Sequence, residues 1–413
     1  MLKEIHANKG KAEALVKSFF IRKPMGIGHQ IPKGYMYPPP LDDPDCLTEE
    51  RIHRHIRKLS PYKAPGPDGI PNIILQKSAK ILVSILLWIY NAILLMEEYP
   101  DQWRIFTTVV LRKPGKPTYD VPKAYRPIAL LNTMGKVLMA IIAEEISNVI
   151  EKEGLLPTNH FGGRPGCTTT DAVHLLIHRI KDAWHGGKVA SVLFLDVEGA
   201  FPNAVTKRVI HNLKRRDIPS RHIKYVANLL DSRLTQLKFD NYLSQPMTID
   251  NGIGQRDPLS MILYIIYNAD LIEIAEGNQE ESLGYVDDAI VIAEDESFHD
   301  MTSKIEDIMN RQGGAFNWSL QHNSNFEISK LAIMHAAQKR CKNKRTVRLS
   351  RPVLKLHGTE IKEVNSYKYL GIHVDYELRW DIQSQNCTTH ATKYLLAYRR
   401  LTKQATGIKS CLM

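Results

Sequence analysis

Cysteine is scarce in this chain and scattered. Cys46, Cys167, Cys341, Cys387 and Cys411 fall singly along 413 residues, with no Cys-x-x-Cys pair. An odd, dispersed set excludes a disulfide framework and fits a reducing compartment. It also excludes a standard zinc module. Cys387 and His390 have zinc-like spacing, but no second pair completes the site. Long apolar runs are missing too. The stretch Ile81 to Met96 is interrupted by Ser84 and Asn91 and is shorter than the roughly 20 residues of a bilayer span. It predicts a buried core helix and no membrane partner. The opening Met1-Leu-Lys-Glu-Ile-His does not read as a secretory leader. Internal repeats and low-complexity tracts are absent. Acidic residues are the minority, 44 against 55 Lys and Arg, for a net charge of +11. That excess favours a polyanionic partner.

What is present is a foldable chain. Hydrophobic residues make up 43%, enough for a packed core, and the length predicts two or three subdomains. Residues 11–19 have helical composition. Residues 22–46 are rich in Pro and Gly and read as a linker. A helix is predicted from Thr48, with Glu49 and Glu50 in its first turn and Ile52, Ile56 and Leu59 on one face. A turn-dense loop, Tyr62 to Pro71, precedes the apolar helix around 78–97. Two strands joined by polar residues are predicted over 105–131, and a helix over 134–152. Val189 to Leu195 reads as a buried strand ending at Asp196, with a helix near 203–215. Ser282 to Ala293 reads as strand, turn, strand. The mixture predicts an α+β sheet covered by helices. Residues 338–355 are densely basic.

Two places put carboxylates at the ends or turns of apolar strands, namely Phe194-Leu-Asp196-Val-Glu-Gly-Ala-Phe201 and Gly284-Tyr-Val-Asp287-Asp288. A carboxylate closing a buried strand is costly unless it is paired or bound to a cation. Asp287 and Asp288 also repel each other. Carboxylate, water and phosphate oxygens suit Mg²⁺, and two such ions can clamp the attacking and leaving oxygens of a phosphoryl transfer. Taken singly, an Asp-Asp pair is most often a solvated turn and an Asp after an apolar run most often a cap. The coincidence of the two is what carries weight.

In this setting Tyr285-Val-Asp-Asp288 resembles the Tyr/Phe-x-Asp-Asp motif of reverse transcriptases. Phe194 to Phe201 resembles their first carboxylate motif. Gly252-Ile-Gly-Gln-Arg-Asp-Pro-Leu-Ser260 resembles their Gly-x-Pro-Gln-Gly-x-Pro-Leu-Ser loop, and Tyr125-Arg-Pro-Ile128 their Arg-Pro-Ile motif. Tyr62 to Pro71 is similar to the Lys-x-Pro-Gly-x-Asp-Gly-Ile-Pro motif of the non-LTR (LINE-type) retrotransposon branch. Phe161 to Gly166 with Thr168 to Ala172 resembles that branch's Gly-Phe-Arg segment. Phe326 to Lys330 and Tyr369-Leu370-Gly371 resemble the last palm motifs. Each segment alone is weak, but together they follow the family's order from 62 to 371.

The resemblance implies a right-hand polymerase, an α+β fold with fingers, a palm built on an antiparallel sheet, and a partial thumb. An N-terminal extension and linker would occupy 1–60, fingers 61–185, palm 186–340 and thumb 345–413. It implies RNA-directed DNA polymerase activity with RNA template, DNA primer and dNTP as partners. The cofactor would be two Mg²⁺ ions, with Mn²⁺ a substitute. Asp196, Asp287 and Asp288 would hold the metals, and Lys330 could donate a proton to departing pyrophosphate. Lys113 and Arg126 would bind the triphosphate, Arg126 through its guanidinium fork. Lys116 would assist them. Gln255 would touch the nucleotide or template, and Phe201 would crowd a ribose 2′-OH. Tyr369, Leu370 and Gly371 would help place the primer end. Lys342, Lys344 and Arg345 would neutralise nucleic-acid phosphates.

Three departures stand out. Arg256 occupies a usual glycine, Gly163 a usual phenylalanine and Gly254 a common proline. Arg256 predicts slowed polymerisation, because a side chain there would keep the backbone from the template. With no endonuclease or zinc-knuckle motif recognised, the chain reads as part of a larger element protein, placed in a nuclear or cytoplasmic ribonucleoprotein. The alternative is a decayed copy that binds nucleic acid without copying it. A viral RNA polymerase and a group II intron maturase fit the Tyr-x-Asp-Asp and Lys63–Pro71 segments less well.

Overall fold

The computed structural model describes residues 7–20, 31–249, 251–254, 257–337 and 351–401. α1 (Asn8–Phe19) is followed by α2 (Glu49–Lys58), α3 (Asn72–Lys77) and α4 (Ala79–Met96). Thr48 caps α2 by accepting the N–H of Arg51, and Glu49 and Glu50 oppose the helix dipole. A short α5 (Asp101–Arg104) leads into β1 (Ile105–Arg112), which returns antiparallel as β2 (Tyr125–Leu130). Tyrosines brace the connecting loop: Tyr119 Oη donates to the Lys113 carbonyl, and Tyr125 Oη to the Tyr119 carbonyl. α6 (Thr133–Glu153) stops on left-handed Gly154. α7 (Thr169–His185) opens with a reciprocal Thr168–Asp171 capping box.

The expectation for α4 needs correction. Val83, Leu86, Tyr90, Ile93 and Leu94 are buried, but Ile81, Trp88 and Leu95 are 73%, 79% and 73% exposed. The helix is apolar around most of its circumference and covered on one side only. By length and composition alone it could cross a bilayer.

β3 (Val189–Asp196) is buried at every position before Asp196, which is why it reads as an unbroken apolar run. α8 (Ala200–Asn203), α9 (Thr206–Arg215) and α10 (Ser220–Leu230) follow. Next come β4 (Arg233–Phe239), β5 (Tyr242–Leu243) and β6 (Met247–Ile249), and β4 pairs in parallel with β1. The first sheet therefore runs β2-β1-β4-β5 with β6 on β4. Buried Thr108 and Thr235 hydroxyls bond across it at 2.7 Å. Residues 233–249, within the stretch expected to be palm, thus join the strands expected to be fingers.

α11 (Ser260–Ile272) precedes the hairpin of β7 (Glu280–Tyr285) and β8 (Asp288–Asp295). α12 (Phe298–Asn310), α13 (Ala315–His322) and β9 (Ala332–Ala336) come next. They are followed by the β10 (Lys355–Leu356) and β11 (Thr359–Glu360) hairpin and by β12 (Lys362–Glu363). β13 (Ser366–Tyr369) pairs with β14 (Ile372–Asp375) before α14 (Asp381–Leu401). The second sheet runs β12-β9-β3-β8-β7. Its side chains alternate between faces as the pleat requires. Leu193, Leu195, Val291 and Ala293 share a core with Phe298 and Met301 of α12. Ala190, Val192, Phe194, Ile290 and Ile292 share another with Ala172, Leu176 and Ile180 of α7 and with Tyr369.

Candidate active site

The central strands of the second sheet bring the predicted carboxylates together. Asp196, the last residue of β3, is the direct ladder partner of Asp288, the first residue of β8. Opposed residues in a ladder point to one face. Asp287 lies in the two-residue turn between β7 and β8. The other turn residue, Val286, has φ 59°, a conformation that a β-branched residue reaches only under strain. Its surroundings hold it there. Buried Asn268 of α11 donates its side-chain N–H to the Val286 carbonyl at 2.9 Å. From the other side, residues 159–161 run along β7, with Phe161 N–H on the Gly284 carbonyl at 2.8 Å and Gly284 N–H on the Asn159 carbonyl at 3.1 Å. Gly162 then lies so close that a Cβ there would be 2.4 Å from Val286 N.

Electrostatics at this end match a site built for cations. Asp287 and Asp288 keep solvent-exposed outer surfaces. The protein packed around Asp287, and then the charge of Asp196, hold its carboxyl above the ordinary range. The same packing, followed by Asp287 and Asp196, pushes Asp288 up to about 6. Lys330 Nζ bonds Asp196 Oδ2 at 3.0 Å and also pairs with Glu327. That lysine is delivered by a segment stitched to the end of β3, where Glu198 N–H meets the Asn325 carbonyl and Glu327 N–H the Asp196 carbonyl. The donor set offers hard carboxylate oxygens, which fits Mg²⁺ or Mn²⁺. Among the described residues no three His, Cys, Asp or Glu side chains are already closed into a metal cage. An ion bound through Oδ2 of Asp196 would have to displace Lys330.

Cations face this acidic end. Arg126 of β2 opposes Leu111 of β1, and Lys113 follows β1, its N–H on the Ala124 carbonyl. Burial, and then Lys116, Arg126, Lys330 and Lys123, hold the Lys113 ammonium below the usual lysine range. The cations of the β1–β2 loop and Lys330 therefore share one field. Lys123 reaches across to Glu198 Oε1 at 3.2 Å.

Phe201 lies five residues beyond Asp196, in α8. It is half-buried, and its ring stacks on Tyr264. Gly252, at φ 90°, brings the following loop against Pro202, where a Cβ would be 2.7 Å from the Pro202 carbonyl oxygen. Gln255 and Arg256 lie outside the described residues, as do Lys342, Lys344 and Arg345. Asp257 anchors the loop to α11 by accepting the Ser260 N–H at 2.6 Å. Leu370 and Gly371 form the β13–β14 turn with φ 47° and 90°. A Cβ at Gly371 would meet nothing, so glycine serves the turn's conformation there. Tyr369 is 2% exposed. With Tyr367, which stacks on Phe194 at 3.8 Å, it pins the hairpin to the sheet, and the turn itself is left outward. Gly163, where the family carries phenylalanine, has φ 75°, and a Cβ there would be 2.6 Å from Met261 Cγ.

A family model described as "Reverse transcriptase (RNA-dependent DNA polymerase)" matches residues 111–374, more than half of the chain. The chain belongs to the reverse transcriptase family. It is 28% identical over 339 residues to the probable RNA-directed DNA polymerase from transposon X-element of Drosophila melanogaster, covering 81% of this chain and 35% of that protein. Identity is 26% over 360 residues to the RNA-directed DNA polymerase from mobile element jockey of the same species, covering 86% and 37%. It is 26% over 338 residues to the probable polymerase from transposon BS, covering 80% and 36%. All three relatives are named for Drosophila transposons or mobile elements. The chain spans little more than a third of their length.

Several residues of this site escaped the sequence reading. Lys123 and Glu198 look like ordinary surface charges until the fold sets them face to face. Asn268 left a trace, being a lone amide in an otherwise apolar stretch of α11 and fully buried. Tyr264 left none, and Gly162, although inside the Phe161–Gly166 segment, gave no sign of the contact it makes, because stacking and close approach depend on elements far apart in sequence.

Proposed function

We propose that this chain is the polymerising core of an RNA-directed DNA polymerase. It adds dNTPs to a primer 3′-OH on an RNA template and releases pyrophosphate. One observation carries the reading: Asp196 and Asp288 stand opposite each other beside a strained Asp287 turn, with Lys113, Arg126 and Lys330 in one field next to them. The acidic end suits cations and the basic rim suits a triphosphate.

Asp196 and Asp287 would hold the ions, with Asp288 in support. Mg²⁺ is the proposed metal and Mn²⁺ its substitute, and when bound they would stabilise the charge that builds on the phosphoryl oxygens. Lys113 and Arg126 would orient the triphosphate, Arg126 through paired N–H donors. Phe201 would crowd a 2′-OH and so favour dNTP. Lys330 would stand ready to protonate the leaving pyrophosphate. Gln255, the Leu370-Gly371 turn anchored by Tyr369, and the basic residues Lys342, Lys344 and Arg345 would hold template and primer. Fingers over 61–185, palm over 186–340 and a partial thumb over 345–413 are the proposed division. A nuclear or cytoplasmic ribonucleoprotein is the proposed setting.

Extension of oligo-dT on poly-rA with Mg²⁺ and dTTP tests the reading. Template-dependent extension that EDTA abolishes is expected. Retention of primer–template binding with no extension under Mg²⁺ or Mn²⁺ would instead mark a copy that binds without copying.

A further inference from the structure

Phe201 belongs to a four-residue helix, α8, too short to fix a ring by itself. Its backbone is tethered: the Phe201 carbonyl accepts the Ile253 N–H at 2.8 Å. The residue is half-buried, and the hold on its ring depends on what lies behind it.

What lies behind it is Tyr264 of α11. The rings stack with centroids 4.6 Å apart and planes 27° from parallel. Tyr264 is fully buried. Tyr264 in turn packs on Tyr267 at 6.1 Å, and the Tyr267 hydroxyl donates to the His322 carbonyl and accepts the Val205 N–H. Val205 directly follows α8 and its Ala204 cap, so both the ring of Phe201 and the chain beyond it are referred to α11. The Tyr264 hydroxyl is buried with no hydrogen-bond partner among the described residues. A tyrosine whose hydroxyl makes no bond contributes through its ring.

We propose that Tyr264 is a positioning residue for sugar selection: its ring backs Phe201 and sets the plane against which a ribose 2′-OH is rejected. The inference rests on the reading of Phe201 as the residue that crowds the sugar. Rejection of an added hydroxyl by shape alone reaches about 10², and it falls if the rejecting surface can tilt away. An aromatic ring without its backing has that freedom.

The test compares the binding of dUTP and UTP, which differ only at the 2′ position, to the protein–primer–template complex on poly-rA with a dideoxy-terminated oligo-dT primer, so no turnover is needed. The ratio of the two dissociation constants is read on each preparation, which makes it independent of the folded fraction. Tyr264→Phe should keep the wild-type ratio. Tyr264→Met, which removes the flat ring and some of its volume, should lower it by about tenfold, starting from the roughly hundredfold ceiling of shape-based rejection. Phe201→Val should lower it as well, and Phe201→Val with Tyr264→Met should fall no further than Phe201→Val alone. A wild-type ratio in Tyr264→Met beside a reduced ratio in Phe201→Val would overturn the backing role and leave the gate standing. An unchanged ratio in Phe201→Val, or a wild-type protein that binds neither nucleotide, would overturn the reading of the site and the inference with it.

Discussion

The ammonium of Lys330 lies 3.0 Å from Oδ2 of Asp196, so a group proposed to serve pyrophosphate occupies the carboxylate proposed to serve a metal. Burial works to lower the Lys330 pKa, but bonds to Glu327 and Asp196 outweigh it and hold the lysine charged. Ion and lysine therefore compete for Asp196. Lys330→Met should tighten Mn²⁺ binding to the protein without nucleic acid. The gain should be up to about fivefold, since a partly exposed ion pair contributes at most about 1 kcal/mol. Mn²⁺ titration followed by electron paramagnetic resonance reads it directly. Weaker binding in the mutant would show that Lys330 helps to shape the metal site.

The carboxylates carry a second consequence of opposite sign for stability and for activity. Surrounding protein and neighbouring charges hold Asp287 above the usual range and push Asp288 up to about 6. Ionised at neutral pH, both therefore oppose folding when no cation is bound. Asp287→Asn keeps the shape and removes a charge. Its metal-free thermal midpoint should rise, by no more than about 1 kcal/mol in stability once solvent screening is allowed for. Primer extension should be lost. A mutant that extends primers like the wild type would remove Asp287 from the metal set.

The sequence displayed the strands of this site because each one is a dense apolar segment ending in a charge. Val189–Asp196 and the Asp287-Asp288 hairpin stand where pattern and turn chemistry place them. Thr48 caps the helix it precedes, since capping depends on residues three apart. Sheet membership was not legible. The parallel pairing of Arg233–Phe239 with Ile105–Arg112 joins segments more than a hundred residues apart, and no local period records it. The half-bare state of Ala79–Met96 was hidden for a related reason. An apolar helix reads the same whether one face is covered or both.

Acid should unfold this protein earlier than its basic composition suggests. Burial, followed by Arg164 and Arg216, pushes His160 down to about 3. His322 is also pushed down to about 3 by burial, against the pull of Asp270. A base whose folded value lies below its unfolded 6.5 contributes stability that is complete above pH 6.5 and is lost as pH falls toward 3. Each histidine costs about 1.4 kcal/mol per pH unit in that window, so the two cost on the order of 5 kcal/mol between pH 6.5 and 4.5. Asp257, pushed up to about 6 by burial, works the other way as pH falls below 6 and offsets part of this. Urea midpoints at pH 7.5 and 5 should therefore differ clearly, and His160→Leu should narrow the gap. The same gap in both proteins would mean that His160 is not held neutral in the fold.

Gly162 offers the sharpest structural test, because it meets the Asp287 turn through backbone atoms. A Cβ there would lie 2.4 Å from Val286 N and 2.8 Å from the Tyr285 carbonyl carbon. Neither atom is the end of a flexible side chain, so Gly162→Ala must move the turn or the Phe161–Gly162 segment. The turn is poised to give, since Val286 is held at φ 59° at a cost on the order of 1–3 kcal/mol. Movement of about 1 Å at a reacting group can cost about 10² in rate. Gly166 supplies the control. It has φ 75°, and a Cβ there would meet nothing within 4 Å. Gly166→Ala therefore carries only the conformational penalty, about 1–2 kcal/mol, and leaves the turn alone. Single-turnover extension at saturating primer–template should fall about a hundredfold in Gly162→Ala and stay near wild type in Gly166→Ala, with both proteins folded by circular dichroism. Equal rates in the two variants would show that the Asp287 turn holds its place without the support of Gly162.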